Sequence, residues 1–540
     1  MTRTRSEMVL ADIVATRAER NPDFEVLTFE CAGRPDETRT FAQLFERANA
    51  LAAALVERGL ERGDRFGLFM RNHPEFVEAM IAASITGTVF VPIDARTRGA
   101  KLAYTLHNSN AKCLVCADYA LAQFEEVRGD LPQIRSILAL ESTEDDAPPM
   151  DLFSGVESLG ELQERTVPTV DVRIESPRDP LQIIYTSGTT GDPKGVVMEN
   201  GRYGGMAALG AGVFGFQKDE RLYTGLSLTH GNAQAVTLAA ALCLELPAVI
   251  SRKFTKSRLW DICRKHGSTT FSLLGGMATA IYSEPAKADD GDNPVRMVTS
   301  AGMPRAIWES FEKRFNLKVL EWYGAVEGGL AFKPIGEGPI GSFGKPGPGL
   351  DMRILDEQDR DCPPGVQGEI CSRPLSGDAP SVEYHGNPEA SQAKTRGGWL
   401  RSGDIGHRDA DGWLFFDYRK GGGIRRSGDF INPGFVEKVI AEHPAVSDVF
   451  VYGVEARSGA PGEKDVVAAV VAVAGETIEP RALLAHCRAG LEANFVPSYL
   501  QIVDEIPKTA SEKPQERFLR ERFDTVKAEV HDLEALGVPR

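Results

Sequence analysis

One stretch, residues 185–195 (YTSGTTGDPKG), constrains this chain more than any other part of its sequence. Short apolar runs of strand character stand on both sides of it, at residues 181–184 and 196–198. The sequence therefore predicts a loop that joins two strands.

The residues inside this loop suit the binding of phosphate. Hydroxyl side chains, glycines and a proline dominate it, so side-chain and backbone donors can surround phosphate oxygens. Lys194 would add a mobile positive charge. The glycine spacing is not that of a Walker loop, and no helix follows directly. We therefore predict a phosphate loop of another type, with a surface hairpin rich in turn residues as the alternative.

Length and charge limit the function classes. A chain of 540 residues is too long for one core and predicts two or more domains. The net charge of −16 argues against nucleic acid or an anionic membrane surface as the main partner. The N-terminal segment has no signal-peptide pattern, and no apolar run is long and uninterrupted enough to span a membrane. Eight cysteines in a chain of this length without a secretion signal imply a reducing compartment. These features predict a cytoplasmic location without a membrane span.

The alternation of helical and strand patterns predicts an α/β fold. We expect a large N-terminal domain of several subdomains with layered α/β sheets, residues 1–418, and a small mobile C-terminal α/β domain, residues 424–540. Residues 419–423 include Gly421, Gly422 and Gly423 and are predicted to be the hinge. Residues 141–167 are rich in acidic residues, Pro and Gly and are predicted to be a surface excursion.

Two short patterns are given structural interpretations. Cys113 and Cys116 form a CxxC within an apolar run, where a strand would point them to opposite faces. Gly210, Gly212 and Gly215 match GxGxxG, but no strand delivers them. We predict a core strand for the first pattern and no dinucleotide site for the second.

The phosphate loop strongly resembles that of the adenylate-forming superfamily, and five further blocks follow in the order that this superfamily uses. They are SAGMP at 300–304, WYGAVEGG at 322–329, WLRSGDIG at 399–406, DYRK at 417–420 and PKTASEKPQ at 507–515. The chain is similar to the AMP-dependent acyl-CoA synthetases and ligases, with some likeness to the fatty-acid and carnitine CoA-ligase branch.

The resemblance implies specific roles for residues of these blocks. Tyr323 would stack on adenine, Asp404 would accept both ribose hydroxyls, and Glu327 would hold Mg²⁺. Lys513 falls on the position of the catalytic lysine, and the predicted catalytic residues are Lys513, Glu327 and Thr186. The predicted ATP and AMP contacts are Thr186, Ser187, Gly188, Thr189, Thr190, Gly191, Lys194, Gly302, Met303, Tyr323, Gly324, Asp404, Arg419 and Lys513.

The same resemblance suggests where the other two substrates bind. The acyl pocket would be bordered by His230, Gly275, Gly276 and Gly302. No lysine or aspartate stands out as the partner of an amino-acid head group, which favours an apolar acid, fatty or cyclic. Coenzyme A would meet the segment with Arg425, Arg426, Ser427 and Gly428, although two adjacent arginines are as often a solvated face.

The implied reaction has two steps, with ATP, Mg²⁺ and coenzyme A as the reagents besides a small carboxylate. The carboxylate and ATP form an acyl-adenylate and pyrophosphate, and a thiol then displaces AMP. Two alternatives stay open: an adenylating enzyme that loads a carrier protein, and a non-catalytic nucleotide-binding homologue. A monomer and a homodimer are both compatible with the sequence.

Three departures from the superfamily pattern bear on activity. Val326 stands where a threonine is usual, Gly421 and Gly422 replace charged hinge residues, and Glu512 replaces the glycine before the catalytic lysine. None of them removes a charge that the first step needs, so we expect an active enzyme.

Overall fold

The computed structural model describes residues 4–142, 144, 147–186, 193–420, 424–426, 429–431, 433–457, 464–491, 495–509, 514–533 and 535 of the chain. Residues 207, 208, 425, 429, 430 and 435 are described by their backbone alone.

The described residues form strands grouped into five sheets. The strands are β1 (Glu25–Glu30), β2 (Glu37–Thr40), β3 (Arg65–Phe69), β4 (Val89–Ile93), β5 (Ala111–Ala117), β6 (Ser136–Leu140), β7 (Val156–Ser158), β8 (Pro180–Thr186), β9 (Lys194–Glu199), β10 (Leu222–Thr224), β11 (Ala248–Ser251), β12 (Thr270–Leu274), β13 (Met297–Ala301), β14 (Lys318–Ala325), β15 (Gly328–Lys333), β16 (Lys345–Pro346), β17 (Leu350–Leu355), β18 (Gly368–Pro374), β19 (Leu400–Arg408), β20 (Leu414–Arg419), β21 (Ile424–Arg426), β22 (Asp429–Ile431), β23 (Val446–Glu455), β24 (Lys464–Ala472), β25 (Tyr499–Ile502) and β26 (Val530–Asp532).

Helices alternate with these strands through most of the chain. The α-helices are α1 (Leu10–Arg20), α2 (Phe41–Glu57), α3 (Pro74–Thr86), α4 (Gly99–Asn108), α5 (Leu121–Glu125), α6 (Leu159–Gln163), α7 (Gly201–Gly212), α8 (Ala239–Leu244), α9 (Leu259–His266), α10 (Gly275–Tyr282), α11 (Trp308–Phe315), α12 (Pro388–Lys394), α13 (Pro433–Ala441), α14 (Pro480–Gly490) and α15 (Glu516–Thr525). A π-helix, Ala233–Leu238, runs directly into α8.

Local sequence explains where the central helices begin and end. Thr40 and Gln43 form a capping box at the start of α2, each side chain bonding the other's backbone N–H. Helix α3 begins with Pro74 and ends at Gly87, whose φ of +69° reverses the chain. All residues of α3 are buried, because the helix lies in the main core cluster.

The two largest sheets carry the fold. The nine-stranded sheet has the order β16-β15-β14-β13-β12-β10-β11-β1-β2, and the seven-stranded sheet has the order β7-β6-β5-β3-β4-β8-β9. In the nine-stranded sheet, the neighbouring strands β11, β10, β12, β13 and β14 all run parallel. Their carboxyl ends therefore meet at one edge of the sheet. In the second, β8 and β9 form an antiparallel hairpin at the edge. The layered α/β architecture predicted for the large domain is confirmed.

The C-terminal part forms its own small α/β unit. A four-stranded sheet, β23-β24-β25-β26, packs with α13 and α14 around a separate core cluster. A further four-stranded sheet, β17-β18-β19-β20, precedes it in the chain. The boundary at residue 418 and the hinge stay predictions, and Gly421, Gly422 and Gly423 lie outside the described residues.

The predicted surface excursion at residues 141–167 is partly wrong. Strand β7 extends the seven-stranded sheet there by pairing parallel with β6, and α6 follows with its N-cap, Ser158, accepting from the backbone of Glu161. Both segments are short, which leaves little periodicity for a sequence pattern to report.

The core strand predicted for the CxxC pattern is confirmed. Cys113 and Cys116 lie on β5 with their side chains in two different core clusters, so they face opposite sides of the sheet. Gly210 and Gly212 lie inside α7 rather than in a loop after a strand. In the described ranges, a search for helices long and apolar enough to cross a membrane finds none.

Candidate active site

The carboxyl edge of the nine-stranded sheet collects several of the predicted site residues. Gly275 directly follows β12, Gly302 directly follows β13, and Tyr323 lies near the end of β14. His230 lies on the connection after β10, the parallel neighbour of β12. Parallel strands open their loops at the same edge, and this edge is where α/β folds bind ligands.

A buried carboxyl group holds the turn after β13. Gly302 takes φ +94°, and Glu321 Oε1 accepts from its backbone N–H at 2.5 Å and from that of Met303 at 3.2 Å. Burial raises the pKa of Glu321 to about 8, although these donors oppose the shift. The carboxyl group thus fixes the turn that carries Gly302 and Met303, two of the predicted nucleotide contacts.

Gly275 lacks a side chain at a point where the neighbouring backbone approaches closely. A Cβ atom on Gly275 would lie 2.2 Å from the carbonyl oxygen of Gly302. The missing side chain therefore admits the neighbouring backbone of the turn, in addition to any room it leaves for an acyl group. Gly276 is half-buried in the first turn of α10.

Glu321 gives the fold a pH dependence that one substitution should remove. The unfolded chain releases this proton near pH 4.5 but the folded chain holds it to about 8, so its stabilising contribution is present at low pH and lost as pH rises through that range. Glu321→Gln keeps an oxygen acceptor for both N–H groups and cannot titrate. We expect its thermal midpoint to fall less than that of the parent chain between pH 5 and pH 9, measured by circular dichroism. Parallel pH curves for the two proteins would contradict the assignment.

Asp404 forms the centre of a second group. On β19, its Oδ1 accepts from Arg419 Nη1 at 2.8 Å, and its Oδ2 accepts from the Tyr323 hydroxyl at 2.6 Å. The Tyr323 ring stacks on Phe343, with ring centroids 4.6 Å apart. Three predicted nucleotide contacts, from three different strands and blocks, are therefore joined in one hydrogen-bonded unit with one aromatic face backed by Phe343.

Removing the Asp404 carboxylate should weaken nucleotide binding. We expect Asp404→Ala to raise the Kd for ATP by about 10- to 100-fold, the effect of losing hydrogen bonds to a charged group. Isothermal titration calorimetry measures this directly. Asp417→Ala is the control, because Asp417 pairs with His407 and Gln367 outside this group. An unchanged Kd for Asp404→Ala would remove Asp404 from the nucleotide site.

Glu327 lines a small cavity together with Tyr323, Ala325, Lys394 and Ser402. Its Oε1 accepts from the Tyr384 hydroxyl at 2.8 Å and lies 3.5 Å from Lys394 Nζ. Burial alone would raise the pKa of Glu327, but Lys394 and the Tyr384 hydroxyl outweigh it, and the pKa is lowered. The carboxylate is therefore held ionised in a nearly buried position, as a ligand for a hard cation must be.

Tyr384 links this carboxylate to strands β8 and β9, which flank the predicted phosphate loop. Residue 384 pairs with Val196 of β9 through an antiparallel bridge, and the ammonium of Lys194 lies 5.6 Å from the centre of the Tyr384 ring. Thr186, at the end of β8, donates its hydroxyl to the Lys194 carbonyl oxygen at 3.4 Å. The two predicted strands are confirmed, while the loop predicted between them lies largely outside the described residues. Lys194 and Glu327 thus both lie near the same tyrosine.

A further cation near Glu327 was missed by the sequence patterns. Arg202, in the first turn of α7, donates to the Met198 sulfur at 2.9 Å. Burial lowers its pKa, while Glu327 and Glu199 oppose that shift through their negative charges. The spacing of four residues from Met198 is visible in the sequence, but nothing local shows that Glu327 lies nearby.

Val326 contacts an apolar cluster around the same tyrosine. This cluster contains Ile184, Val196, Met198 and Tyr384, and Val326 packs against it. A valine at the usual threonine position therefore gains packing where a hydroxyl group would have none.

Other predicted residues are placed with less detail or not at all. His230 Nδ1 accepts from the Asn232 backbone N–H at 3.2 Å, and Arg426 Nη1 donates to the Val496 carbonyl oxygen at 2.7 Å. Gly324 is exposed on β14. The predicted residues outside the described part of the chain are Ser187, Gly188, Thr189, Thr190, Gly191, Ser427, Gly428 and Lys513, and Arg425 is described by its backbone alone.

The chain matches known proteins over most of its length. The sequence model of the AMP-binding enzyme family matches residues 14–376, and that of the AMP-binding enzyme C-terminal domain matches residues 436–513. A relative, the crotonobetaine/carnitine–CoA ligase of Salmonella typhimurium, is 28% identical over 499 residues, which cover 91% of this chain and 95% of the relative.

Solved structures share the fold. The anthranilate CoA ligase AuaEII in complex with anthranoyl-AMP superposes with a TM-score of 0.83 at 23% identity, covering 96% of this chain and 98% of that one. A benzoate CoA ligase from Burkholderia xenovorans LB400 gives 0.81 at 22% identity, covering 95% and 99%. The chain therefore belongs to the AMP-binding enzyme family, which confirms the adenylate-forming family predicted from its motifs.

Proposed function

We propose that this chain is an ATP-dependent, AMP-forming acyl-CoA ligase, an acid–thiol ligase that activates an apolar carboxylic acid, fatty or cyclic. The observation that carries the proposal is the meeting of two hydrogen-bonded groups at one small cavity. Glu327 and Lys394 of the Glu327–Tyr384–Lys394 group line this cavity together with Tyr323 of the Asp404–Tyr323–Arg419 group. The first suits a cation and phosphates, and the second suits a ribose and a base. The relatives named above, which are CoA ligases, support the thiol acceptor.

In the first step, a carboxylate oxygen of the acid forms a bond to the α-phosphorus of ATP. The bond from that phosphorus to the bridging oxygen breaks, and pyrophosphate leaves with the electron pair. Because two anions must meet, positive charge at the site lowers the barrier. Lys194 and Lys513 are the proposed sources of this charge, with Asp404, Tyr323 and Arg419 holding the nucleoside.

In the second step, the thiol of coenzyme A loses its proton and its sulfur attacks the acyl carbon. The bond from that carbon to the AMP oxygen breaks, and AMP leaves with the electron pair. Arg425, Arg426, Ser427 and Gly428 are proposed to contact coenzyme A. Residues 419–423 are proposed to let the C-terminal unit turn between the steps.

Glu327 is the residue proposed to hold Mg²⁺. Its ionised carboxylate fits a hard cation, and the contacts from Tyr384 and Lys394 hold that carboxylate in place. When bound, the ion would neutralise phosphate charge.

A panel of carboxylic acids tests the function. Fatty, aromatic and alicyclic acids and amino acids are each incubated with ATP and Mg²⁺, and pyrophosphate release is followed with and without coenzyme A. We expect release with at least one apolar acid, acceleration by coenzyme A, and little release with amino acids. Release with amino acids alone would contradict the proposed substrate class, and ATP binding without any release would contradict the enzyme.

A further inference from the structure

Asn232 is a buried amide without a hydrogen-bond partner. Its side chain is 4% exposed, and within the described part of the chain neither Nδ2 nor Oδ1 is hydrogen-bonded. Buried polar groups are normally paired, and an exception calls for an explanation. The neighbouring polar side chain shows the usual pattern, since Gln234 donates to Leu228 and accepts from Gln182.

The position of Asn232 ties it to the candidate active site. Its backbone N–H donates to His230 Nδ1, and a Cβ atom on the preceding Gly231 would lie 3.4 Å from Val326 Cγ2. Val326 directly precedes Glu327. The start of the helix therefore lies against the block that carries the proposed metal ligand.

The helix that Asn232 precedes has an unusual form. Residues Ala233–Leu238 form a π-helix, and such turns are frequently found at functional sites. Val236 lies four residues after Asn232, so the two side chains leave the same face of the helix. Val236 packs in an apolar cluster with Phe214 and Leu320, against which Trp322 also packs.

Trp322, which packs against this apolar cluster, has a second unpaired polar group. Its Nε1–H is buried and has no hydrogen-bond partner among the described residues, while its ring lies edge-on to Phe214 at 5.7 Å. The Asn232 amide, one turn before Val236, and the Trp322 indole donor, packed against the cluster that holds Val236, are thus both left unsatisfied by the described protein atoms.

We propose that Asn232 and Trp322 recognise one uncharged polar substituent, a hydroxyl group, on an otherwise apolar acyl substrate. This inference rests on the proposed ligase function and narrows its substrate class to hydroxylated apolar acids. A hydroxyl group can donate to Asn232 Oδ1 while it accepts from an N–H of Asn232 or Trp322. Sites built to bond a hydroxyl group discriminate strongly against the analogue without it, because the buried protein groups are then left unpaired.

Matched pairs of acids test the inference. Benzoate, cyclohexanecarboxylate and octanoate are each compared with their monohydroxylated derivatives, one ring or chain position at a time, by kcat/KM for pyrophosphate release. We expect one hydroxylated acid to exceed its parent by about 10- to 100-fold. In Asn232→Leu, this ratio should fall by a similar factor, and Asn232→Ala is the second variant should leucine not fit.

Thermal stability gives an independent reading. Replacing an unpaired buried amide with an apolar group of similar size is expected to leave the thermal midpoint unchanged or raise it. Asn49→Leu is the matched control, because Asn49 is buried with both amide atoms bonded, to Pro168 and Val170, and its loss should lower the midpoint. A drop for Asn232→Leu as large as that for Asn49→Leu would show that Asn232 is paired within the protein and would overturn the inference.

The two proposals fail in different ways. Pyrophosphate release without any preference for a hydroxylated acid, or a preference that survives in both Asn232 variants, overturns the hydroxyl recognition but keeps the ligase. The absence of release with every acid overturns the ligase and the inference with it.

Discussion

Replacing Lys513 with alanine is expected to slow acyl-adenylate formation by about 10²- to 10³-fold, the usual loss when one group that stabilises developing charge is removed. The lysine falls at the end of the match to the C-terminal domain of the family, residues 436–513. Its charge would offset the negative charge that builds up where the carboxylate meets the α-phosphate. Thioester formation from supplied acyl-adenylate should change little, because the thiol attacks a carbonyl carbon and no phosphate bond forms.

The two half-reactions are measured separately, by exchange of pyrophosphate into ATP and by thioester formation from synthetic acyl-adenylate. Lys508→Ala is the control, since Lys508 lies on the same segment and pairs with Asp448 at 2.5 Å within the C-terminal unit. It should affect stability without separating the half-reactions. Equal losses in both half-reactions for Lys513→Ala would show that Lys513 has another role.

The second large effect is expected for Glu327→Gln. The change keeps the shape of the side chain and its bond from Tyr384 but removes the negative charge that Lys394 and the Tyr384 hydroxyl hold in place. We expect kcat for adenylate formation to fall by about 10²-fold and the Mg²⁺ concentration for half-maximal rate to rise by at least about 10-fold. Titration of Mg²⁺ at saturating ATP and acid measures both.

Glu199→Gln provides a control of equal charge change. Glu199 is exposed at the end of β9, on the same hairpin as Lys194, and it has no proposed role in the site. Its Mg²⁺ dependence should match that of the parent enzyme. An unchanged Mg²⁺ dependence in Glu327→Gln would assign the carboxylate a structural role beside Lys394 and Tyr384.

Local sequence was enough to predict the parts of the site that lie within one block. The phosphate-loop hairpin followed from two apolar runs around a loop, and β8 and β9 pair in the register that joins Thr186 to Lys194. The ends of β12, β13 and β14 meet at one edge because parallel neighbours must. Patterns with a clear period, or a turn with fixed composition, carry this information in the sequence itself.

The groups that tune the site could not be predicted in this way. Tyr384 reaches Glu327 across 57 residues of sequence, and the Phe343 ring that backs Tyr323 comes from another loop. The raised pKa of Glu321 depends on burial by the whole sheet rather than on its neighbours in the chain. Such contacts depend on tertiary packing between segments that are far apart in the chain. They leave no periodic pattern in the local sequence from which they could be predicted.

The most direct test of the account is the identity of the products. The chain is incubated with ATP, Mg²⁺, coenzyme A and the acid that gives the fastest pyrophosphate release, and the mixture is analysed by ³¹P NMR and mass spectrometry. The account predicts AMP, pyrophosphate and one acyl-CoA thioester in equal amounts. AMP and pyrophosphate with no thioester on coenzyme A, but with acyl transfer to a carrier protein, would contradict the proposed acceptor, and ADP with phosphate would contradict the adenylating chemistry itself.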